Sequence, residues 1–551
     1  MAKKIVIVGG VAGGASAAAR LRRLDETAEI IIFERGGFIS FANCGLPYYI
    51  GEVIQERAKL MVQTPESMKA RFNLDVRIYS DVVKIDPEQK KVTVNSKDRG
   101  VYEEEYDALI LSPGAKPLKP PIPGIDSRFI FTLRNIPDTD RIKSYVEQEG
   151  IRSAIVIGGG YIGVEMAENL RHRGLEVSLV EAAPHILAPF DSEMVAFAEK
   201  ELEDNDVRLF LNDGVQSFRE EEKGISVVLQ SGREVHADLI ILAIGVKPDT
   251  DFLKDSGIAL GTRGHIVVDE TMQTNRESVY AVGDAVEIKD YVLGSQGAIP
   301  LAGPANKQGR IAADRICGLS STYKGTQGTA IIKMFNLTGA STGSNERTLA
   351  RLNIPYRAVY VHPSSHATYY PGAKPIALKL LFNDEGLILG AQAFGQEGVD
   401  KRIDVIATVL RLKGTVHDLA ELELTYAPPF SSAKDPVNMA GYLAQNVLSG
   451  QTEVVHLKDI DTLDPEKQVL LDVRTQAEYD QGHIGGALHI PVDELRSRMM
   501  ELDPDKEIYA YCAVGLRGYI ASRILNQNGY KVKNLTGGYR SYSMASYKPD
   551  K

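Results

Sequence analysis

The chain has 551 residues, of which 44% are hydrophobic and 25% charged, a composition typical of a soluble protein with several globular domains. Its net charge of -10 argues against nucleic-acid partners, and no apolar run approaches the roughly 18 residues of a membrane span. Cys44, Cys317 and Cys512 lie too far apart in sequence for a disulfide framework or a metal site. Free thiols fit a reducing environment, so we expect a cytoplasmic protein.

A glycine-rich turn near the N-terminus, residues 9–14, has the context of a dinucleotide-binding site. An apolar strand precedes it, an alanine-rich helix follows it, and a second strand, 29–33, ends at Glu34. Such a turn aims a helix N-terminus at a pyrophosphate, and the acid accepts from a ribose hydroxyl. Val11 stands where the usual second glycine would be. The contacts that we expect from this unit are Gly9, Ala12, Gly13, Gly14, Glu34 and Arg35.

Cys44 follows as an isolated thiol that begins a helix-like run, residues 44–47. No second cysteine is near it in sequence, so its thiol must pair with an external sulfur compound or be oxidised to a sulfenic acid. Its position at a helix N-terminus predicts a lowered pKa for Cys44, because the helix dipole and backbone N–H groups favour the thiolate, the form that attacks disulfides. Cys317 is expected only to pack at a helix end.

A second glycine-rich turn, residues 158–163, has the same context. An apolar strand precedes it, a helix follows it, and the strand 176–180 ends at Glu181. The next two residues, Ala182 and Ala183, offer no arginine for a 2′-phosphate, which favours NADH over NADPH. The contacts that we expect from this unit are Gly158, Gly160, Tyr161, Ile162, Gly163 and Glu181.

Three further segments carry a family resemblance. Residues 281–284, Ala-Val-Gly-Asp, resemble the flavoprotein motif whose aspartate holds the ribityl chain of FAD, and 109–114 and 242–245 resemble the segments that bracket an NADH domain. Through about residue 446 the chain resembles the pyridine nucleotide-disulfide oxidoreductases. The resemblance implies FAD on the first turn, NADH (or NADPH) on the second, and a homodimer. The further cofactor contacts that it implies are Asn43, Ser112, Gly114, Gly245, Asp284 and Ala302.

Within this family, single cysteines occur in NADH oxidases, NADH peroxidases and coenzyme A-disulfide reductases. Residues 40–49 (Ser-Phe-Ala-Asn-Cys-Gly-Leu-Pro-Tyr-Tyr), 301–309 and 426–436 resemble the last group. The resemblance implies that Cys44 carries a mixed disulfide with coenzyme A (CoA). The resemblance also implies that two tyrosines of the partner subunit complete the active site. These are Tyr426 and either Tyr369 or Tyr370. Packing within an interface domain explains these tyrosines equally well.

A basic cluster near the end of the first helix is a candidate for holding the 3′-phospho-ADP group of CoA through charge-assisted hydrogen bonds. It contains Arg20, Arg22, Arg23, Lys69 and Arg71. The alternative for these residues is an ordinary solvated helix face. The CoA contacts that the resemblance implies are Ser16, Arg20, Arg23, Ser40, Asn43 and Lys434.

The last ~95 residues restart as a small α/β domain. A buried strand at 469–472, the Gly-His-Ile turn at 482–484, the loop 512–518 and the segment 535–539 together resemble a rhodanese domain. Its cysteine, Cys512, lies on a strand-to-helix turn, where converging N–H groups stabilise a thiolate or a persulfide.

Arg517 ends the Cys512 loop one position earlier than the arginine of cysteine phosphatases does, so a sulfur atom fits the loop better than a phosphate. We expect Asp472, Arg474 and His483 to be structural hydrogen-bonding residues rather than catalysts. His362 and His366 have no third ligand nearby in sequence, and we predict no metal site.

We therefore predict an α/β protein with two Rossmann-like dinucleotide-binding domains, an α+β dimerisation domain and a C-terminal α/β rhodanese domain. The predicted boundaries are 1–118 and 245–325 for the FAD domain, 119–244 for the NAD(P)H domain, 326–446 for the dimerisation domain, 447–457 for a linker and 458–551 for the rhodanese domain.

The fusion predicts a FAD-dependent NAD(P)H reductase of CoA persulfide or polysulfide that releases sulfide. In this prediction Cys512 takes sulfane sulfur from a donor and passes it to CoA, and Cys44 then attacks the CoA sulfur. The first alternative is reduction of CoA disulfide for thiol homeostasis. The second is peroxide reduction through a Cys44 sulfenic acid, which leaves the basic cluster and residues 458–551 without a use.

Overall fold

The computed structural model describes residues 2–549, so the outermost residues of the predicted first and last domains, 1 and 550–551, lie outside the described residues. The described chain forms two compact units, residues 2–184 with 210–326 and residues 185–209 with 327–549. Within residues 2–549, no helix combines the length and the apolar composition that a membrane span requires.

In chain order, the strands are β1 (Lys4–Val8), β2 (Glu29–Phe33), β3 (Asp75–Arg77), β4 (Ser80–Asp86), β5 (Lys91–Ser96), β6 (Gly100–Glu105), β7 (Ala108–Leu111), β8 (Ala115–Pro117), β9 (Ile130–Phe131), β10 (Ser153–Ile157), β11 (Glu176–Glu181), β12 (Val207–Leu211), β13 (Val215–Glu220), β14 (Ile225–Leu229), β15 (Glu234–Ala237), β16 (Leu239–Leu242), β17 (Val246–Pro248), β18 (Ile266–Val267), β19 (Val279–Ala281), β20 (Val286–Lys289), β21 (Gln296–Gly297), β22 (Ala330–Met334), β23 (Leu337–Gly343), β24 (Arg357–Val361), β25 (Ile376–Phe382), β26 (Ile388–Gly395), β27 (Glu453–Val455), β28 (Gln468–Asp472), β29 (Leu488–His489), β30 (Glu507–Tyr511) and β31 (Val532–Leu535). The α-helices are α1 (Ala12–Leu24), α2 (Leu46–Ile50), α3 (Pro65–Phe72), α4 (Ile136–Val146), α5 (Tyr161–His172), α6 (Ser192–Asp204), α7 (Ala302–Ile316), α8 (Glu346–Arg351), α9 (Val399–Arg411), α10 (Val416–Glu421), α11 (Pro436–Leu448), α12 (Leu457–Asp461), α13 (Gln476–Asp480), α14 (Leu495–Arg498), α15 (Leu516–Gln527) and α16 (Gly538–Ala545). Short 3₁₀ helices lie at Asn43–Gly45, Arg57–Leu60, Asp251–Leu253, Gly283–Ala285 and Met499–Glu501.

Two parallel sheets of the Rossmann type form the frame of the first unit. One has the strand order β19-β7-β1-β2-β3, with every neighbouring pair parallel. In the other, β11, β10, β16 and β9 neighbour one another in that order and are also parallel. The central strands β1, β7 and β16 are almost continuous runs of buried Ile, Val and Leu, as sheets covered on both faces require.

Small residues let α1 pack closely on α7 in the first unit. Ala17 and Ala18 of α1 are fully buried. At the crossing, a Cβ on Gly309 of α7 would lie only 2.3 Å from the carbonyl oxygen of Gly13. The helices therefore touch through their backbones, and this contact holds the N-terminus of α1 in place below the first glycine-rich turn.

The second unit contains an antiparallel sheet of strand order β22-β23-β26-β25-β24 and a parallel sheet of order β27-β31-β30-β28-β29. The linker predicted at 447–457 is wrong in part. Helix α11 continues to Leu448, and β27 is an edge strand of the parallel sheet, where Val455 is buried. The polar residues around β27 hid this short strand from sequence analysis.

A buried lysine neutralises an acidic cluster in the second unit. The Nζ atom of Lys379 lies 2.7 Å from a carboxylate oxygen of Asp191, 2.5 Å from Glu193 and 3.4 Å from Glu346. Burial alone would lower the pKa of Lys379, but the three carboxylates raise it to about 12. The carboxylates are close enough together to hold a metal ion. The lysine already supplies the positive charge that they need.

Candidate active site

The first glycine-rich turn accepts only glycine at two positions. Gly9 has a φ of +95°, and a Cβ on it would lie 2.1 Å from the carbonyl oxygen of Ser112. A Cβ on Gly14 would lie 1.9 Å from the carbonyl oxygen of Gly9. The Gly14 N–H donates to the Ser112 hydroxyl at 3.1 Å. The turn therefore packs tightly against the start of α1 and the end of β7. The opposite side of its backbone is free to contact a ligand.

A cleft lies in front of this turn, and its wall suits a dinucleotide. Glu34 at the end of β2 accepts from the N–H groups of Gly10 at 3.1 Å and Gly36 at 2.9 Å, which fixes its carboxylate. Asn43 also lines the cleft, and its buried Oδ1 has no hydrogen-bond partner among the described residues, so it needs a donor from a ligand or water. Of the predicted FAD contacts, Gly9, Ala12, Gly13, Glu34, Arg35, Asn43, Ser112, Gly114 and Asp284 line the cleft, whereas Gly14 and Ala302 do not.

Asp284 and Arg134 face each other in the cleft, with 3.7 Å between a guanidinium nitrogen and a carboxylate oxygen. Burial raises the pKa of Asp284, and the charge of Arg134 opposes that rise. Asp284 offers a hydrogen-bond acceptor to the hydroxyl groups of a bound ligand, and Arg134 offers a positive charge to its phosphate. Sequence analysis missed Arg134, because it lies in an irregular segment outside every motif.

The second glycine-rich turn repeats the geometry of the first. Gly158 has a φ of +106°, and a Cβ on Gly163 would lie 1.9 Å from the carbonyl oxygen of Gly158. Glu181 accepts from the Gly159 N–H at 2.6 Å. Apart from its chain neighbours, no described residue has an atom within 4 Å of a Cβ built on Gly160, so this side of the turn is open to a second dinucleotide. Of the other predicted contacts, Tyr161 and Ile162 begin α5, and Gly245 lies just after β16 with a φ of +114°.

Cys44 lies in the 3₁₀ turn before α2, and its side chain is exposed to solvent. The surrounding protein partly desolvates the thiolate and raises the pKa of Cys44, and the carboxylates of Glu165 and Asp284 add to the rise. The prediction that the protein lowers the pKa of Cys44 is therefore wrong, because the surrounding side chains and burial raise it. Helix α2 is only five residues long, so its dipole is small, and the charges that act on the thiol are negative.

A half-buried acid, Glu165, acts on Cys44, and sequence analysis did not identify it. Glu165 of α5 accepts a hydrogen bond from the Tyr48 hydroxyl at 3.4 Å. Burial, with Glu168 adding to it, raises the pKa of Glu165 to about 7, although the Tyr48 hydrogen bond opposes the shift. A helix position two residues beyond Gly163 carries no motif, so only the packing of α2 on α5 reveals this acid.

The basic cluster is smaller than the sequence indicates. Arg22 is buried and donates to the backbone carbonyls of Asp25 and Ala28, just after α1, and of Phe72 at the end of α3. Its predicted place in the cluster is therefore wrong. Arg20 Nε donates to Asp314 at 2.7 Å. Arg23 is exposed. Among the other predicted CoA contacts, the Ser16 hydroxyl donates to Asn306 at 2.7 Å, and Lys434 is exposed in the second unit.

The tyrosine pair lies on the surface of the second unit. The hydroxyls of Tyr369 and Tyr426 are 2.7 Å apart, and both side chains are exposed, Tyr369 by 73%. The ring of Tyr370 lies edge-on to that of His366, with 5.7 Å between centroids. Tyr370 is also exposed, but Tyr369 is the neighbour whose hydroxyl reaches that of Tyr426.

Cys512 lies at the base of a closed loop in the second unit and is only 1% exposed. The Gly515 N–H donates to its Sγ at 3.1 Å, as expected for a cradle that stabilises a sulfur anion. Arg517 begins α15 together with Leu516, and its guanidinium makes two hydrogen bonds to Glu478, of 2.7 and 2.6 Å. The Arg517 hydrogen bonds are the main reason that the pKa of Glu478 falls to about 2.

The residues expected to be structural in the C-terminal domain make contacts within that domain. Asp472 and Arg474 form a fully buried pair whose guanidinium also donates to the Gly482 carbonyl at 2.7 Å. His483 stacks on the Tyr479 ring with 3.8 Å between centroids. Both sets brace the segment that leads to β29. In the first unit, Cys317 ends α7 and is partly buried against the core, as expected for packing at a helix end.

Two glycine-turn dinucleotide sites with a nearby exposed cysteine define a flavin- and pyridine nucleotide-dependent thiol oxidoreductase. Residues 3–309 match the pyridine nucleotide-disulphide oxidoreductase family and residues 329–436 match its dimerisation domain, so the chain belongs to this family. Residues 457–545 match the rhodanese-like domain. The family implies FAD and NAD(P)H, and the two turns fit them. The predicted family resemblance and α/β fold class are confirmed.

Three relatives of this chain carry sulfur-related names. The coenzyme A disulfide reductase of Staphylococcus epidermidis is 39% identical over 445 residues, which cover 80% of this chain and all of that protein. The crystal structure of reduced Bacillus anthracis CoADR-RHD is 54% identical, with a TM-score of 0.97, over 99% of this chain and 98% of that one. The NAD-dependent persulfide reductase from A. fulgidus is 36% identical, with a TM-score of 0.92, over 99% of this chain and 100% of that one.

Proposed function

We propose that this protein is a FAD-dependent NADH reductase of CoA persulfide and related polysulfides that releases sulfide. The observation that carries the proposal is the presence of two different sulfur sites in one chain. Cys44 is an exposed lone thiol beside a dinucleotide cleft, and Cys512 is a buried thiol that accepts a hydrogen bond from the Gly515 N–H of its loop. The names of the relatives, a coenzyme A disulfide reductase and a persulfide reductase, agree with it.

The reaction at Cys44 begins with its thiolate. The thiolate attacks the inner sulfur of CoA–S–SH, so that a Cys44–S–S–CoA bond forms, the S–SH bond breaks and HS⁻ leaves with the electron pair. FAD and NADH, when bound, supply the two electrons that reduce this mixed disulfide to the Cys44 and CoA thiolates. Glu165 raises the pKa of Cys44 and has a pKa of about 7 itself. It is therefore placed to hold a proton near the sulfur at neutral pH.

Cys512 supplies the sulfur in this proposal. Its thiolate takes a sulfane sulfur from a donor, and the resulting Cys512–S–SH passes that sulfur to the CoA thiolate, which yields CoA–S–SH and the Cys512 thiolate. The loop N–H that donates to Sγ would stabilise the persulfide in the same way. CoA then carries the sulfur to Cys44.

NADH is proposed as the reductant because Glu181 ends β11 and Ala182 and Ala183 follow it. The dimerisation domain supports a homodimer. We propose that Tyr369 and Tyr426 complete the CoA site of the partner subunit, and that Ser16, Arg20, Arg23, Ser40, Asn43 and Lys434 contact CoA. Unpaired cysteines support a cytoplasmic location.

A second candidate function is reduction of CoA disulfide, which the names of the Staphylococcus relatives favour. The chemistry at Cys44 would be the same, with CoA thiolate in place of HS⁻ as the leaving group. Cys512 would then serve a separate sulfur transfer.

Serine variants of the two thiols test the proposal. C44S is expected to abolish NADH oxidation with CoA persulfide and with CoA disulfide, because no nucleophile remains. C512S is expected to abolish turnover that starts from a sulfane donor plus CoA but to keep turnover of preformed CoA persulfide. C317S is the matched control and should keep both. If C512S leaves turnover with every sulfane donor unchanged, the proposed role of Cys512 is wrong.

A further inference from the structure

The arginine of the Cys512 loop is already paired with an acid. The Arg517 guanidinium donates from NH1 and NH2 to the two oxygens of Glu478, at 2.7 and 2.6 Å, and it also interacts with Cys512. A two-point pair of this kind fixes both side chains and cancels most of the cationic field of the guanidinium.

Glu478 is held in this position from a second side. It is the third residue of α13, and its Oε2 accepts from the N–H of Thr475 at 3.1 Å and from the Thr475 hydroxyl at 2.8 Å in a capping box. Its pKa of about 2 keeps it ionised at neutral pH, with Arg517 as the first cause. The Glu478 carboxylate is therefore a fixed negative charge next to the Cys512 loop.

Among the described residues of the loop itself, 512–517, Arg517 carries the only cationic side chain. The loop residues between Cys512 and Arg517 are Ala513, Val514, Gly515 and Leu516, none of which ionises. Arg540 donates its backbone N–H to the Ala513 carbonyl. Burial lowers the pKa of His362, and the charge of Arg540 adds to that fall, so this charge acts on His362. The charge of Arg474 is neutralised by its buried salt bridge with Asp472. With a Cys512 thiolate, the group formed by Cys512, Arg517 and Glu478 carries a net negative charge.

We infer that Glu478 is a specificity-determining residue, which makes the Cys512 site select sulfane sulfur carried by an organic thiol over thiosulfate. The inference rests on the proposed role of Cys512 as a sulfur carrier. Thiosulfate is a dianion and is repelled more strongly than a hydropersulfide with at most one negative charge. The first two turns of α15 also expose Leu516 by 61% and Ile520 by 42%, one helical turn apart, as an apolar contact for the arm of an organic thiol.

Both transfers balance without an added oxidant. With an organic donor, the Cys512 thiolate attacks the outer sulfur of R–S–SH, so that a Cys512–S–SH bond forms and R–S⁻ leaves with the electron pair. With thiosulfate, the thiolate attacks the sulfane sulfur and sulfite leaves. The two reactions differ in the charge that must approach Glu478.

The test compares sulfur transfer to cyanide from thiosulfate and from the persulfide of N-acetylcysteamine, a small organic thiol with an amide arm. The full-length protein is used without NADH, with the C512S rate as the baseline. We expect E478Q to raise the ratio of the thiosulfate rate to the persulfide rate about 5- to 10-fold. This factor is the Coulomb repulsion between the Glu478 charge and the one additional negative charge of thiosulfate, at a separation of about 7 Å and an effective dielectric constant of about 40, converted to a ratio of rates. Glutamine keeps an acceptor for the capping box.

The control variant is E501Q, which breaks a similar two-point pair with Arg498 on the same domain, at 2.8 and 3.0 Å, and should leave the ratio unchanged. A measurement on the wild type does not depend on the folding of any variant: its thiosulfate rate should rise with salt between about 20 and 200 mM more steeply than its persulfide rate, because screening weakens the repulsion. An unchanged ratio in E478Q, or a wild-type thiosulfate rate that falls with salt, overturns the inference. Equal activity of C512S and wild type would instead overturn the proposed role of Cys512.

Discussion

Matched glycine substitutions would show which dinucleotide binds at each turn. Gly14 and Gly163 occupy the same position in the two turns, and a Cβ on either would lie 1.9 Å from a backbone carbonyl oxygen. Real Cβ atoms do not approach closer than 3.0 Å, so G14A or G163A must push the helix away from its turn by about 1.1 Å. Overpacking of this kind costs about 1–3 kcal/mol of stability.

The functional loss should differ between the two variants. A displacement near 1 Å can cost about 100-fold in a positioned reaction. We therefore expect G163A to keep its flavin absorbance and to lose about 100-fold in kcat/KM for NADH. G14A should lose bound flavin, measured as flavin per protein after gel filtration. G297A is the control, because a Cβ there would meet no atom of the described residues within 4 Å, apart from its chain neighbours. Flavin loss in G163A with full retention in G14A would refute the assignment of FAD to the first turn.

Two further variants test the electrostatics. K379M should cost about 3–5 kcal/mol in urea unfolding, because it leaves Asp191 and Glu193 buried without their cation. Burial alone would raise the pKa of Glu193, but the charge of Lys379 lowers this pKa below 4.5. The stabilisation that the Glu193–Lys379 pair contributes is therefore present above pH 4.5 and is lost as the pH falls further. The deficit of K379M should shrink there, and a cost below about 1 kcal/mol at neutral pH would contradict the role of Lys379. E165Q should lower the pKa of Cys44, seen as a lower midpoint in the pH dependence of its alkylation, because a carboxylate that is ionised above about pH 7 is removed. A midpoint that stays or rises would contradict this.

The sequence predicts the parts of the molecule that local pattern determines. Strand, glycine turn, helix and acid follow one another within about thirty residues, so both turns and their acids, Glu34 and Glu181, could be found without a structure. The cysteine loop of the C-terminal domain is equally local. These elements lie where the sequence places them.

The charged groups around the two thiols could not be predicted in this way, because they come from residues distant in sequence. Glu165 reaches Cys44 only through the packing of α2 on α5, and Glu478 reaches Arg517 across 39 positions. Arg22 looked like part of a surface cluster, but buried carbonyls surround it. Pattern shows that a residue can ionise, whereas tertiary packing decides which partner it meets and thus its pKa.

The proposed function makes CoA persulfide the preferred substrate. Anaerobic NADH oxidation with CoA persulfide and with CoA disulfide, measured in parallel with released sulfide, tests this preference. We predict much faster turnover of the persulfide, with one sulfide released for each NADH oxidised. Faster turnover of the disulfide, or NADH oxidation by the persulfide without sulfide, would contradict the proposed function.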